Sequence, residues 1–107
     1  MPSNTLQPIQ QDPQYSTEDL VRGMDFTPIL AISGDTLSGT PTVTTVCING
    51  LDTNPTILSG APSLSTNNMQ ILQRVTGGVS GAEYLISFSC GTAQGNKVRQ
   101  DGILWIV

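Results

Sequence analysis

The chain has 107 residues, of which 11% are charged and 5% aromatic, and it carries a formal charge of −4 with no histidine. That length gives room for one small domain with a single core. Its only cations are Arg22, Arg74, Lys97 and Arg99, too few for a basic stripe that would neutralise phosphates, so nucleic acid is not an expected partner. No apolar run approaches the roughly eighteen residues of a membrane helix, so no membrane partner is expected either.

Few charges beside abundant Thr, Ser, Gly and Pro favour short strands and turns over amphipathic helices, whose exposed faces need Lys, Glu and Arg. The class is all-β. Residues 1–23 stand apart as an extended N-terminal arm: they hold three prolines and several glutamines, with Leu6, Ile9, Tyr15, Leu20 and Val21 as widely spaced apolar pegs for a neighbouring subunit. Within the arm, residues 16–23 have the Ser/Thr cap, early acids and final Gly of one short helical turn. The amino terminus lacks a basic-then-apolar secretory pattern, which points to a cytosolic product.

Strand patterning begins at Met24, so residues 24–107 are the domain. Residues 26–33 are β-rich, and Pro28, lacking a ladder donor, places them at a sheet edge. Residues 34–39 form a loop, and residues 42–48 form the next strand, which ends at the Asn49-Gly50 turn. Val46 and Ile48 define the more apolar side of that strand, which puts Cys47 out of phase with the core. Residues 51–65 hold Asp52, Asn54, Pro55, Gly60 and Pro62 and support short strands at most. Residues 67–76 alternate again, with Met69, Ile71 and Val75 on one side and Gln70, Leu72 and Arg74 on the other.

After the glycine-rich turn at 77–81, residues 83–107 read as a hairpin. Tyr84, Ile86, Phe88 and Cys90 fall on every second position, as one buried face requires. The run Ile103-Leu-Trp-Ile-Val107 cannot point wholly at one core. Leu104 and Ile106 take one face, and Ile103, Trp105 and Val107 form a second apolar face free for a partner. Strands about ten residues apart with turn chemistry between them fit an immunoglobulin-like antiparallel β-sandwich of about seven short strands. Cys47 and Cys90 could bridge the two sheets of such a sandwich, whereas a reducing cytosol would keep both as thiols.

The absence of histidine removes the usual general base, the Ser-His-Asp relay and the commonest metal ligand. Asp25, Asp35, Asp52, Glu83 and Asp101 are the acids available for carboxylate chemistry, but most sit beside turns, where backbone capping is their ordinary task. Asp52-Thr-Asn54 lacks the remaining ligands of a calcium loop. No catalytic residue, metal or cofactor is expected. Trp105 could offer a stacking platform for a sugar, but a lone tryptophan in an apolar strand more often belongs to a core or a subunit interface.

The segments Met24-Asp-Phe-Thr-Pro-Ile-Leu-Ala-Ile-Ser-Gly-Asp-Thr-Leu-Ser38 and Leu72-Gln-Arg-Val-Thr-Gly-Gly-Val-Ser-Gly-Ala-Glu-Tyr-Leu-Ile-Ser-Phe88 resemble a family of small structural proteins of tailed bacteriophages. Its members are described as fibre-tail adaptors, with related domains in neck, fibre and capsid decoration proteins. The likeness spans residues 24–107, and residues 77–84 are its most specific part. Apolar residues around Leu30 stand where the family has a tryptophan. The resemblance implies a non-enzymatic virion protein, assembled in the host bacterial cytoplasm as a homo-oligomer. Its expected partners are other virion proteins (neck, tail, fibre or major capsid). An adaptor joining neck or tail to fibres is the leading expectation, capsid decoration the second, and a carbohydrate- or cell-surface-binding module the rival from another class.

Overall fold

A computed structural model of the chain describes residues 9–107. Seven strands and one short helix follow in the order β1 (Ile9–Gln10), β2 (Asp19–Asp25), α1 (Thr27–Leu30), β3 (Leu37–Asn49), β4 (Leu58–Leu64), β5 (Gln70–Thr76), β6 (Glu83–Thr92) and β7 (Lys97–Trp105). They form two sheets packed as a sandwich, one with strand order β1-β7-β6-β3 and one with β2-β5-β4. The second, fourth and fifth strands thus share one sheet and the third, sixth and seventh the other, which is the immunoglobulin partition. The first strand departs from it and from the antiparallel expectation, because β1 runs parallel to β7, with Ile9 opposite Gly102.

The core follows from strand periodicity. β6 alternates along its whole length and buries Tyr84, Ile86, Phe88, Cys90 and Thr92. β5 adds Ile71 and Val75, β7 adds Leu104, and Ile106 follows directly. Each fully buried Ile, Leu or Phe contributes about 1.5–3 kcal/mol by leaving water. We call the end where β3 and β7 finish and β6 begins the upper end, and the opposite end the lower end.

Several sequence expectations change. The helical turn expected over 16–23 is largely strand: β2 runs antiparallel to β5 from Asp19 opposite Thr76 to Asp25 opposite Gln70. A boundary between 23 and 24 therefore falls inside a strand of the sandwich. The edge strand expected over 26–33 is instead α1 and its following turn. Asp25 accepts hydrogen bonds from the Thr27 N–H (2.9 Å) and hydroxyl (2.6 Å), and Pro28 in the first helical turn has a preset φ and needs no amide donor there. Residues 51–65 give one strand, β4, whose register with β5 shifts between Ser59 and Ser63. The buried Gln73 donates to the Ser59 and Gly60 carbonyls at 3.2 Å each, satisfying the backbone at that irregularity.

The turns at Asn49-Gly50 and 77–81 are crossings between sheets, not hairpins. At the second crossing the Tyr84 hydroxyl accepts the Val79 N–H (2.9 Å) and donates to Asp52 Oδ2 (2.7 Å). A buried tyrosine at the start of the sixth strand thereby pins two upper loops, the corner device of immunoglobulin-type sandwiches. Gly78 (φ 107°) lies so close that a Cβ there would sit 2.8 Å from Ile106 Cγ1.

Candidate interaction surface

The outer face of the four-stranded sheet is set by register. Val46 lies opposite Leu85 and Leu85 opposite Ile103, so three neighbouring strands present one apolar row to solvent. Trp105, opposite Glu83, extends it toward the upper end, and Ile48 flanks it on β3. Trp105 is 46% exposed, Val46 53% and Ile48 50%. Leu51 and Val79 are exposed on the loops of the same end. The lower half of the face is polar, because Thr44, Ser87 and Asp101 form the next row and Arg99 pairs with Asp101 at 2.9 Å.

Of the expected terminal-strand contacts, Ile103, Trp105 and Val107 all lie on this outer side, while Leu104 and Ile106 are fully buried. Val46 and Ile48 are a correction: they face solvent, and Cys47 packs against the core. Both cysteines are free thiols. They belong to the same sheet, with Cys47 opposite Tyr84 and Cys90 opposite Val98. Positions 84 and 90 on one strand are roughly 20 Å apart, beyond any disulfide.

The expected pegs of the arm do not gather into one surface. Leu6 lies outside the described residues. Ile9 sits in β1, and β1 and the free edge of β2 wall an open slot of about 430 Å³ that is also lined by Gln11, Arg22 and Met24. Tyr15, 62% exposed, begins the turn into β2, and Leu20 and Val21 alternate on opposite faces of β2.

Residues 11–18 do fasten to the domain through Gln14. Its N–H donates to the Trp105 carbonyl, and its carbonyl accepts the Val107 N–H. Its fully buried side chain reaches the other sheet, donating to the Val75 carbonyl (3.3 Å) and accepting from Arg22 Nη2 (3.1 Å). Nothing in the hydrophobic pattern of residues 1–23 distinguishes this glutamine from its neighbours.

Each acid considered for chemistry has a structural partner. Asp25 holds Thr27, whose hydroxyl and N–H keep the carboxyl below its ordinary pKa. Asp52 accepts from Tyr84, and Glu83 from the Asn49 amide (3.1 Å). Asp101, on the outer face, is held low chiefly by Arg99. At Asp35 burial pushes the pKa up, but the Thr92 hydroxyl, the Thr36 and Gln94 N–H groups and the Asn96 amide outweigh it, and the carboxyl lies below its usual range. Burial, with Asp52 adding to it, pushes the Tyr84 phenol up to about 12. Among the described residues no group of three His, Cys, Asp or Glu side chains is placed to hold a metal.

Compared with protein-family models, curated proteins and solved structures, the chain finds no match.

Proposed function

We propose that this protein is a non-enzymatic structural component of a tailed-bacteriophage virion, an adaptor present in several copies that joins neck or tail to fibres. The observation that carries an assembly role is the apolar row of Val46, Leu85 and Ile103, continued by Trp105, on a sheet face that the described residues leave open. Contiguous apolar surface of this kind is the ordinary footing for a protein partner. The placement on a virion comes from the resemblance of residues 24–38 and 72–88 to the phage family. In that setting the partner is another virion protein, and the outer face of the four-stranded sheet meets it.

The test is incorporation. Particles assembled with the Trp105→Ser chain should lose the protein, and electron microscopy of wild-type particles should place it at the neck. Density over the capsid shell would replace the adaptor reading with decoration. Saturable glycan binding by the isolated chain, unaffected by particle components, would overturn the assembly reading.

A further inference from the structure

We infer that β3 pairs edge to edge with the β3 of a second copy, antiparallel about a two-fold axis, joining two four-stranded sheets into one of eight strands. The inference goes beyond the virion reading and stands without it.

β3 is the last strand of its sheet, so its far side has no strand partner among the described residues. An open strand side offers unpaired amides and carbonyls, and natural edges are usually blunted by charge, proline, bulges or short length. The other edges of this sandwich carry such protection. β1 has two residues, and the part of β7 it leaves uncovered holds Lys97, Arg99 and Asp101. β4 contains Gly60 and Pro62 with a register shift.

β2 is charged, and its pattern works against self-pairing. An antiparallel β2 pair centred on Arg22 would set Arg22 against its own copy and, twice by symmetry, Asp19 against Asp25, three like-charge contacts. β3 differs. Its register with β6 shifts below Thr42, where it holds Gly39 and Pro41, and again between Cys47 and Asn49, but residues 42–47, Thr-Val-Thr-Thr-Val-Cys, pair in unbroken register, contain no charge, glycine or proline and are rich in β-branched side chains. In a chain of charge −4 residues 42–47 let two copies meet without like charges opposed, and unlike the uncharged β4 they carry no glycine, proline or register shift to break the pairing.

The geometry is self-complementary, as a two-fold interface requires. Thr42, Thr44, Val46 and Ile48 are exposed on the outer face, and Val43, Thr45 and Cys47 are half-buried on the inner one. Antiparallel pairing keeps each set with its like across the axis. Val46 and Ile48 of both copies then meet on one face, making the two apolar rows continuous.

The experiment is light scattering on the full chain from about 10 to 500 µM, a range that spans micromolar association. The wild type should reach a mass near twice 11.3 kDa. Thr44→Lys, at an exposed edge position, should weaken dimerisation about ten-fold or more, as like charges placed across a strand pair do. Val46→Lys should do the same, and circular dichroism should show both variants folded. Mixing Thr44→Lys with Thr44→Glu should restore the dimer, and Leu20→Lys on β2 should leave it intact. A monomer at every concentration overturns the inference, as does a dimer that survives both lysine variants. Loss of the dimer in Trp105→Ser with Thr44→Lys unaffected would put the copies face to face and also overturn it.

Discussion

The two outer faces of the sandwich are built over the same core yet differ in kind. On the four-stranded sheet, Val46, Leu85, Ile103 and Trp105 form apolar ground at the upper end. On the three-stranded sheet, Asp19 pairs with Arg74 at 3.3 Å, and Gly23, Gln70 and Ser63 share the surface with Val21 and Leu72. Folding needs only the inner faces to be apolar, so the excess on one outer face serves something other than the fold.

The sharpest way to break this comparison is to contrast neighbours on β6. Ile86 is fully buried, and Ile86→Ala should cost about 2–5 kcal/mol in urea unfolding. Leu85→Ala, one position away on the outer face, should cost under about 1 kcal/mol, because its side chain already meets water. Equal losses would mean that the outer row is part of the folding core. Next in size is Gln14→Ala, expected to cost about 1–3 kcal/mol by leaving the Val75 carbonyl and Arg22 without their buried partner. A loss within experimental error would show that residues 11–18 do not fasten the two sheets.

Much of this was legible in the chain. The alternation of Tyr84, Ile86 and Phe88 and the doubly apolar run at 103–107 gave the hairpin and its outward residues, because both are local patterns with a period of two. The errors fall where the decisive partner is distant. Val46 and Ile48 look like a core stripe until β6 fixes which side of β3 faces inward. Residues 16–23 look like a helical turn until β5 pairs with Asp19–Asp25. Residues 27–30 become helical through the carboxyl of Asp25, a side-chain bond that apolar periodicity does not register. Leu85 is a local clue to the outer row, an apolar residue off the phase of its own strand.

A smaller effect separates the two ends of the molecule. The lower end is held by Asp35, which ties the loop before β3 to the β6–β7 turn through the Gln94 N–H (3.1 Å) and the Asn96 amide (3.4 Å). Its folded pKa lies below the ordinary 3.8. A depressed carboxyl contributes stability that is fully present above the unfolded value and is lost as pH falls from there through the folded one. Stability should therefore drop in acid below about pH 4, and Asp35→Asn should flatten that limb while lowering stability at neutral pH. An unchanged acid limb, measured by thermal melts from pH 2 to 7, would remove Asp35 from this role; those pH values are roughly the range over which carboxylates titrate.

The smallest expected effect lies on the polar face. Arg74 and Asp19 join β5 to β2, but their side chains are 49% and 53% exposed, so water and salt screen the pair. A double-mutant cycle with Arg74→Gln and Asp19→Asn should return a coupling of roughly 0.2–1 kcal/mol that shrinks further in added salt. The same cycle applied to Leu85 and Ile103 should give little coupling in the isolated monomer and more once a partner covers them, because apolar contacts gain when water leaves. If the ion pair instead proved strong and insensitive to salt, the three-stranded face would be a shielded surface. The contrast between an open apolar face and a solvated polar one would then fail at its quieter side.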